Sequence, residues 1–117
     1  MTWRYFKRSE FECKHCGQNE IQDSFVDRLD ALRAAVGFPL RVNSGYRCPL
    51  HDQAVGGSGP HTTGRAADLQ ADRDRALRVV LEAGKLGFTG FGISQKGASR
   101  FLHLDDLPRI QPTIWSY

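Results

Sequence analysis

Ser58-Gly59-Pro60-His61-Thr62-Thr63-Gly64-Arg65-Ala66-Ala67-Asp68 is the stretch on which the reading of this chain turns. It sets a histidine and an aspartate seven residues apart with Gly64 between them, and small Ala66 and Ala67 lead into Asp68. A second histidine, His103, ends Ser99-Arg100-Phe101-Leu102-His103, 35 residues after Asp68. Two imidazoles and one carboxylate form the three-ligand set that zinc uses in open, reactive sites, with the fourth position left to water. Nitrogen and oxygen ligands at such a site favour zinc over magnesium or calcium. Ligands on a metal-binding helix lie one turn apart. A pair that spans a glycine turn requires a loop-to-strand arrangement instead.

Outward from this stretch, Arg65 to Ala71 reads as a buried strand carrying Asp68, and Val55 to Pro60 as a loop by its glycine content. That loop could cradle an anion, but flexible approach to His61 is the favoured reading. Upstream, the spacing of Val26, Leu29, Leu32, Ala35 and Val36 predicts a helix over 23–36, capped by Asp23 or Ser24 and ended by Gly37 and Pro39. Leu40 to Arg47 follows as a strand, with Leu40, Val42 and Ser44 on one face and Arg41 and Asn43 on the other. Pro49 to Ala54 suits a short helix with proline at its first position. Downstream, Asp72 to Leu86 predicts a second long helix, with Asp72 as cap, Ala76, Val79, Val80 and Ala83 inward, and Gly84 and Gly87 closing it. Phe88 to Ser94 and Arg100 to Asp105 read as two antiparallel strands. Residues 1–22 look irregular, pinned by Phe6, Phe11 and Ile21. The tail after Pro108 has no clear pattern, and Trp115 is assigned no role. This order of elements is α+β: a small, mostly antiparallel sheet packed with two main helices.

With 117 residues, the expectation is one domain over 1–117, without room for a separate binding module. Sixteen Lys and Arg against thirteen Asp and Glu give a net charge of +3. That mild excess suits an anionic polymer such as cell wall. It is too small to imply nucleic acid, and neither a Lys/Arg run nor an interleaved aromatic stripe is present. The first residues lack the apolar core of a secretory signal, and no stretch reaches the roughly 18 apolar residues of a membrane span. The expectation is synthesis in the cytoplasm, delivery by other means to any substrate outside it, and action as a monomer.

Three motifs in order, Ser44-Gly45-Tyr46-Arg47, His61 with Gly64-Arg65-Ala66-Ala67-Asp68, and Phe101-Leu102-His103-Leu104-Asp105, resemble the zinc D-Ala-D-Ala carboxypeptidases. That family includes bacteriophage L-alanyl-D-glutamate peptidases and shares a fold with the Hedgehog signalling domain. The resemblance runs from about Phe6 to Asp105. It implies that His61, Asp68 and His103 hold a catalytic zinc and that Arg47 contacts the substrate carbonyl or carboxylate, a task suited to a planar, permanently charged fork of donors. It also implies hydrolysis of a peptidoglycan stem peptide by a D,D-carboxypeptidase or an L-Ala-D-Glu endopeptidase, with a phage-encoded, endolysin-like protein as one source. Several relatives carry an acid three residues before the last zinc histidine, and here that position is Arg100. Asp105 is the alternative base. Residues i and i+2 share a strand face, so it stands beside His103 as base or as a carboxylate that orients an imidazole. Arg100 also keeps open a rival reading, a non-catalytic zinc-containing module of the same fold that binds cell wall or protein.

Cys13-Lys14-His15-Cys16 and Cys48-Pro49-Leu50-His51 are two half-sites of a Cys3His structural zinc centre made of Cys13, Cys16, Cys48 and His51. His15 is a spare ligand on the surface. Packed core thiols, or a disulfide from Cys48 to Cys13 or Cys16, are the alternatives.

Overall fold

The computed structural model describes residues 3–117. Helix α1 spans Asp23–Val36 and buries Phe25, Val26, Leu29, Leu32 and Val36, the apolar positions that recur at helical spacing. Gln22 holds the N-cap position without a side-chain bond, so neither expected cap serves. Asp23 instead meets Arg8 at 2.7 Å, and Ser24 Oγ accepts from Arg65. Both side chains are used to fasten neighbouring segments. Gly37 ends the helix at φ 77°, a left-handed cap that a side chain would strain.

Strand β1, Arg41–Ser44, is shorter than the sequence suggests. Beyond Ser44 the backbone leaves the sheet: Tyr46 N–H donates to Phe11 O and Arg47 N–H to His61 O. Gly45 permits this, because a Cβ there would lie 2.7 Å from Phe11 Cα. Helix α2, Pro49–Ala54, begins with Pro49 as expected. Strand β2 is Ala66–Gln70 and helix α3 is Arg73–Lys85. Asp72 occupies the N-cap position of α3, but its carboxylate pairs with Arg100 at 3.0 Å rather than capping. Gly84 lies inside α3, and only Gly87, at φ 89°, marks the turn beyond it. Strands β3, Gly90–Ser94, and β4, Phe101–Asp105, are the antiparallel pair read from the sequence. Strand β5, Thr113–Ser116, was not foreseen; it pairs parallel with β3.

The α+β expectation holds. The five strands form one sheet in the order β1-β2-β4-β3-β5. Alternate residues Ala67, Leu69, Leu102, Leu104 and Phe91 join the buried faces of α1 and α3 in one apolar core, where Phe6, Phe11 and Ile21 also anchor the N-terminal segment. No helix among the described residues is long and apolar enough to cross a membrane.

The register decides where the chemistry goes. Asp68 pairs with His103, His103 with Gly92 and Gly92 with Trp115. A bulge between Val42 and Ser44 brings Ser44 opposite Asp68. Five residues from five strands thus form one row across the sheet. Two positions along β4, Asp105 faces Gly90.

Candidate metal centre

His61 is carried by a 3-10 turn, Pro60–Thr63, that Gly64 ends at φ 76°. A side chain at Gly64 would run into the Glu20 carbonyl, and Gln22 N–H donates to Gly64 O at 2.8 Å. The turn is therefore fixed against the segment leading into α1. Asp68 and His103 come from adjacent strands. One nitrogen from each imidazole and one oxygen of Asp68 lie within 4.8 Å of one another, so the three residues expected from sequence do converge.

Hydrogen bonding sets the tautomers. His61 Nδ1 lies 2.8 Å from Gly45 O, which can only accept, so Nδ1 carries the proton. His103 Nε2 lies 2.8 Å from the Asp105 carboxylate and carries its proton there. The remaining nitrogens, His61 Nε2 and His103 Nδ1, sit 3.3 and 3.2 Å from the same oxygen of Asp68. In neutral rings both present lone pairs to an anionic oxygen. Three acceptors facing one another are stable only around a cation or with added protons, and a divalent metal fits this donor set. In the metal-free protein, protons take that part. Burial opposes the charge on Asp68, but bonds from His103 and His61 hold its carboxyl well below the usual range. Burial likewise disfavours charged His103, yet its bonds to Asp105 and Asp68 raise its pKa overall.

Asp105 is 0 % exposed. Its oxygens accept from His103, Leu107 N and, twice, from Arg109. Burial pushes its pKa up, but His103 and Arg109 bring it down to about 2. Gly90 makes room for it, since a Cβ at that position would fall on the carboxylate. The structure thus places Asp105 behind the His103 ring rather than in the cleft. Arg100, at the position where relatives carry an acid, turns away to Asp72 and Gly97 O.

A cleft of about 240 Å³ opens over the cluster, lined by Arg47, Gly56, Gly57, Ser58, His61, Asp68, His103, Trp115 and Tyr117 among others. A larger open hollow of about 790 Å³ between Arg8 and the start of α1 gathers none of the candidate metal ligands. Arg47 is held from three sides. Nε donates to Ser44 Oγ at 3.1 Å, Nη1 to Asp52 at 3.0 Å and Nη2 to the outer oxygen of Asp68 at 3.3 Å. Asp52, Trp115 and Tyr117 were missed at the sequence level. Asp52 is buried in α2, five residues after the arginine it anchors. Trp115 lies 5.2 Å from the His103 ring, over the space that Gly92 leaves open. The Gly90-Phe91-Gly92 alternation was the available signal: two missing side chains on one strand face mark where bulky groups from neighbouring strands sit.

Cys13, Cys16 and Cys48 also converge, their sulfurs within 4.8 Å of one another and all three free thiols. Neither His15 nor His51 lies within 4.8 Å of all three sulfurs; the two rings stack at 5.7 Å, and His15 Nδ1 lies 3.6 Å from Cys48 Sγ. Burial works against ionisation of Cys13, but bonds from the Cys48, Cys16 and His15 amides bring its thiol down to about 6.

A sequence profile described as Peptidase M15 matches residues 4–105, most of the chain, and the chain belongs to that family of zinc peptidases. No curated protein sequence matches it.

Proposed function

We propose that the protein is a zinc-dependent peptidase that hydrolyses a peptide bond in peptidoglycan stem peptides, as a D,D-carboxypeptidase or an L-Ala-D-Glu endopeptidase. The observation that carries this is the facing of His61 Nε2, His103 Nδ1 and Asp68 beneath a cleft walled by Arg47. Those three residues would hold the metal. A bound zinc would supply Lewis acidity, polarising the scissile carbonyl and acidifying an attacking water.

The chain's own residues supply the rest. Gly45 O holds the His61 proton on Nδ1, and Asp105 holds the His103 proton on Nε2, so both rings keep their ligating nitrogens toward the cleft. Of the two roles the sequence leaves to Asp105, its burial supports orientation over proton abstraction. Arg47 has further N–H groups beyond its three bonds, and these suit a substrate carbonyl or terminal carboxylate. Trp115 and Tyr117 add two aromatic side chains to the cleft lining. The protein acts as a monomer on the wall after release or delivery.

One observation favours a second reading, a catalytically inactive zinc-containing module that binds cell wall or protein. Among the described residues, Asp68 is the only carboxylate lining the cleft. Purified peptidoglycan separates the two. Zinc-loaded wild type is expected to release new amino groups, with the cleaved bond identified by mass spectrometry of the fragments, and Asp68→Ala is expected to release none. A wild type that retains zinc and binds wall fragments without releasing amino groups would establish the binding module.

A further inference from the structure

The segment before α1 is pinned to the main core by Phe6, Phe11 and Ile21. Its regular structure is one 3-10 turn, Arg8–Phe11, and its contact with the turn after β1 runs through a small buried cluster of Cys13, Tyr46 and Cys48, separate from the main core. Both halves of that contact carry thiols. Cys13 to Gly17 folds into a tight loop: Gly17 N–H donates to Cys13 O at 2.8 Å, and Gly17 takes φ 77°. The loop brings Cys16 back beside Cys13. Across from it, Cys48 N–H donates to Cys13 Sγ at 3.4 Å, and Cys48 Sγ faces His15 Nδ1 at 3.6 Å.

We propose that Cys13, Cys16, Cys48 and His15 form a closed structural zinc site that clamps the N-terminal segment onto the turn carrying the cleft's arginine. Three sulfurs and an imidazole nitrogen are the donor set of structural zinc, and soft thiolates select zinc over the hard divalent cations. Tetrahedral zinc with thiolate bonds of about 2.3 Å spaces its sulfurs about 3.8 Å apart. The sulfurs already lie within 4.8 Å of one another, and exposed Cys16 can rotate to close the difference. His15 takes the fourth position instead of His51, because its Nδ1 already lies 3.6 Å from Cys48 Sγ while His51 stacks on the His15 ring.

The clamp bears on the cleft through consecutive residues. Gly45 O fixes the His61 tautomer, Tyr46 N–H is tied to Phe11 O, Arg47 walls the cleft and Cys48 is the ligand. A metal at Cys48 therefore anchors the turn that presents both an imidazole and a guanidinium. This site does not depend on the peptidase reading.

Cobalt is the probe, because thiolate-to-cobalt charge transfer gives an absorption band that a His2Asp centre cannot give. Full-length protein stripped and reloaded with Co2+ is expected to show that band and to hold about two metals per chain, a structural and an open site. Cys16→Ser, the exposed and least disruptive ligand change, is expected to lower the count to about one and weaken the band, and His61→Ala to lower the count with the band intact. His15→Ala is expected to weaken cobalt retention at the thiolate site, with His51→Ala unchanged. Thiol titration adds a readout that needs no variant: the cysteines should be protected in the zinc-loaded protein and all react after chelation. Absence of the charge-transfer band, or equal thiol reactivity with and without metal, would overturn the site; loss of the band in His51→Ala but not His15→Ala would overturn the assignment of the fourth ligand.

Discussion

Asp105→Asn distinguishes a carboxylate that orients His103 from one that takes a proton. The substitution keeps the size of a side chain that is 0 % exposed, so it opens no cavity. It removes the charge that faces His103 Nε2 at 2.8 Å and is paired with Arg109. An amide can offer its oxygen to His103 or to Arg109, and its NH2 must then face the other, a donor against a donor. Loss of a carboxylate partner behind a ligating histidine costs about 10- to 100-fold in metal affinity. At about 1.4 kcal/mol per tenfold, that is about 1.4–2.8 kcal/mol. Competition with a chromophoric zinc chelator measures it directly, and Arg109→Ala should shift affinity in the same direction by less, because the carboxylate remains. A lost general base gives the opposite pattern, a rate lower by about 10²–10⁴ with metal affinity intact. Wild-type zinc affinity in Asp105→Asn, together with such a fall in hydrolysis, would refute the orienting role.

Gly92→Ala should force Trp115 off His103, because the new Cβ would stand 2.7 Å from Trp115 Nε1 and 2.9 Å from His103 Cβ. Thermal melts should show about 1–3 kcal/mol of destabilisation, and tryptophan fluorescence should shift. Arg47→Lys keeps the charge but loses the fork that joins Ser44, Asp52 and Asp68; peptidoglycan hydrolysis should fall by about 10²-fold or more while zinc content is retained. Metal-free protein should lose stability on both sides of neutral-to-mildly-acidic pH. Burial opposes the charge on Asp105, but His103 and Arg109 hold its carboxyl at about 2 rather than 3.8, so its contribution is present above 3.8 and fades as pH falls toward 2. His103 is raised above 6.5, so its contribution is full below 6.5 and is lost as pH rises through the raised value. Denaturant midpoints measured in chelator across pH, with Asp105→Asn flattening the acid limb, check both signs.

What was legible in the sequence was what repeats or alternates. Helix α1 announced itself through Val26, Leu29 and Leu32, and strand β4 through its own alternation, with His103 and Asp105 on one face and Leu102 and Leu104 on the other. The candidate metal ligands followed from spacing and family resemblance, and the three side chains converge. What stayed hidden depends on long-range register. Strand β5 has four residues between Pro112 and the end of the given chain, and its parallel pairing with β3 exists only once the sheet is built, so no local pattern could place Trp115 or Tyr117 at the cleft. Cap residues misled for a related reason: Asp23, Ser24 and Asp72 have suitable side chains, but each is taken by an arginine from elsewhere, Arg8, Arg65 and Arg100. At the cysteines the spacing pointed to His51, and the contact between His15 and Cys48 is one that only the folded loop shows.

The Asp68–His103 pairing carries a kinetic consequence. These residues are 35 apart in the chain and become neighbours only when β2 and β4 zip together, and His61 joins them only after its turn has docked against Gly45 and Glu20. The complete three-ligand site therefore exists only once the sheet has formed. Zinc at this centre should act as a latch: refolding should run at nearly the same speed with or without it, while unfolding should slow by the full binding energy.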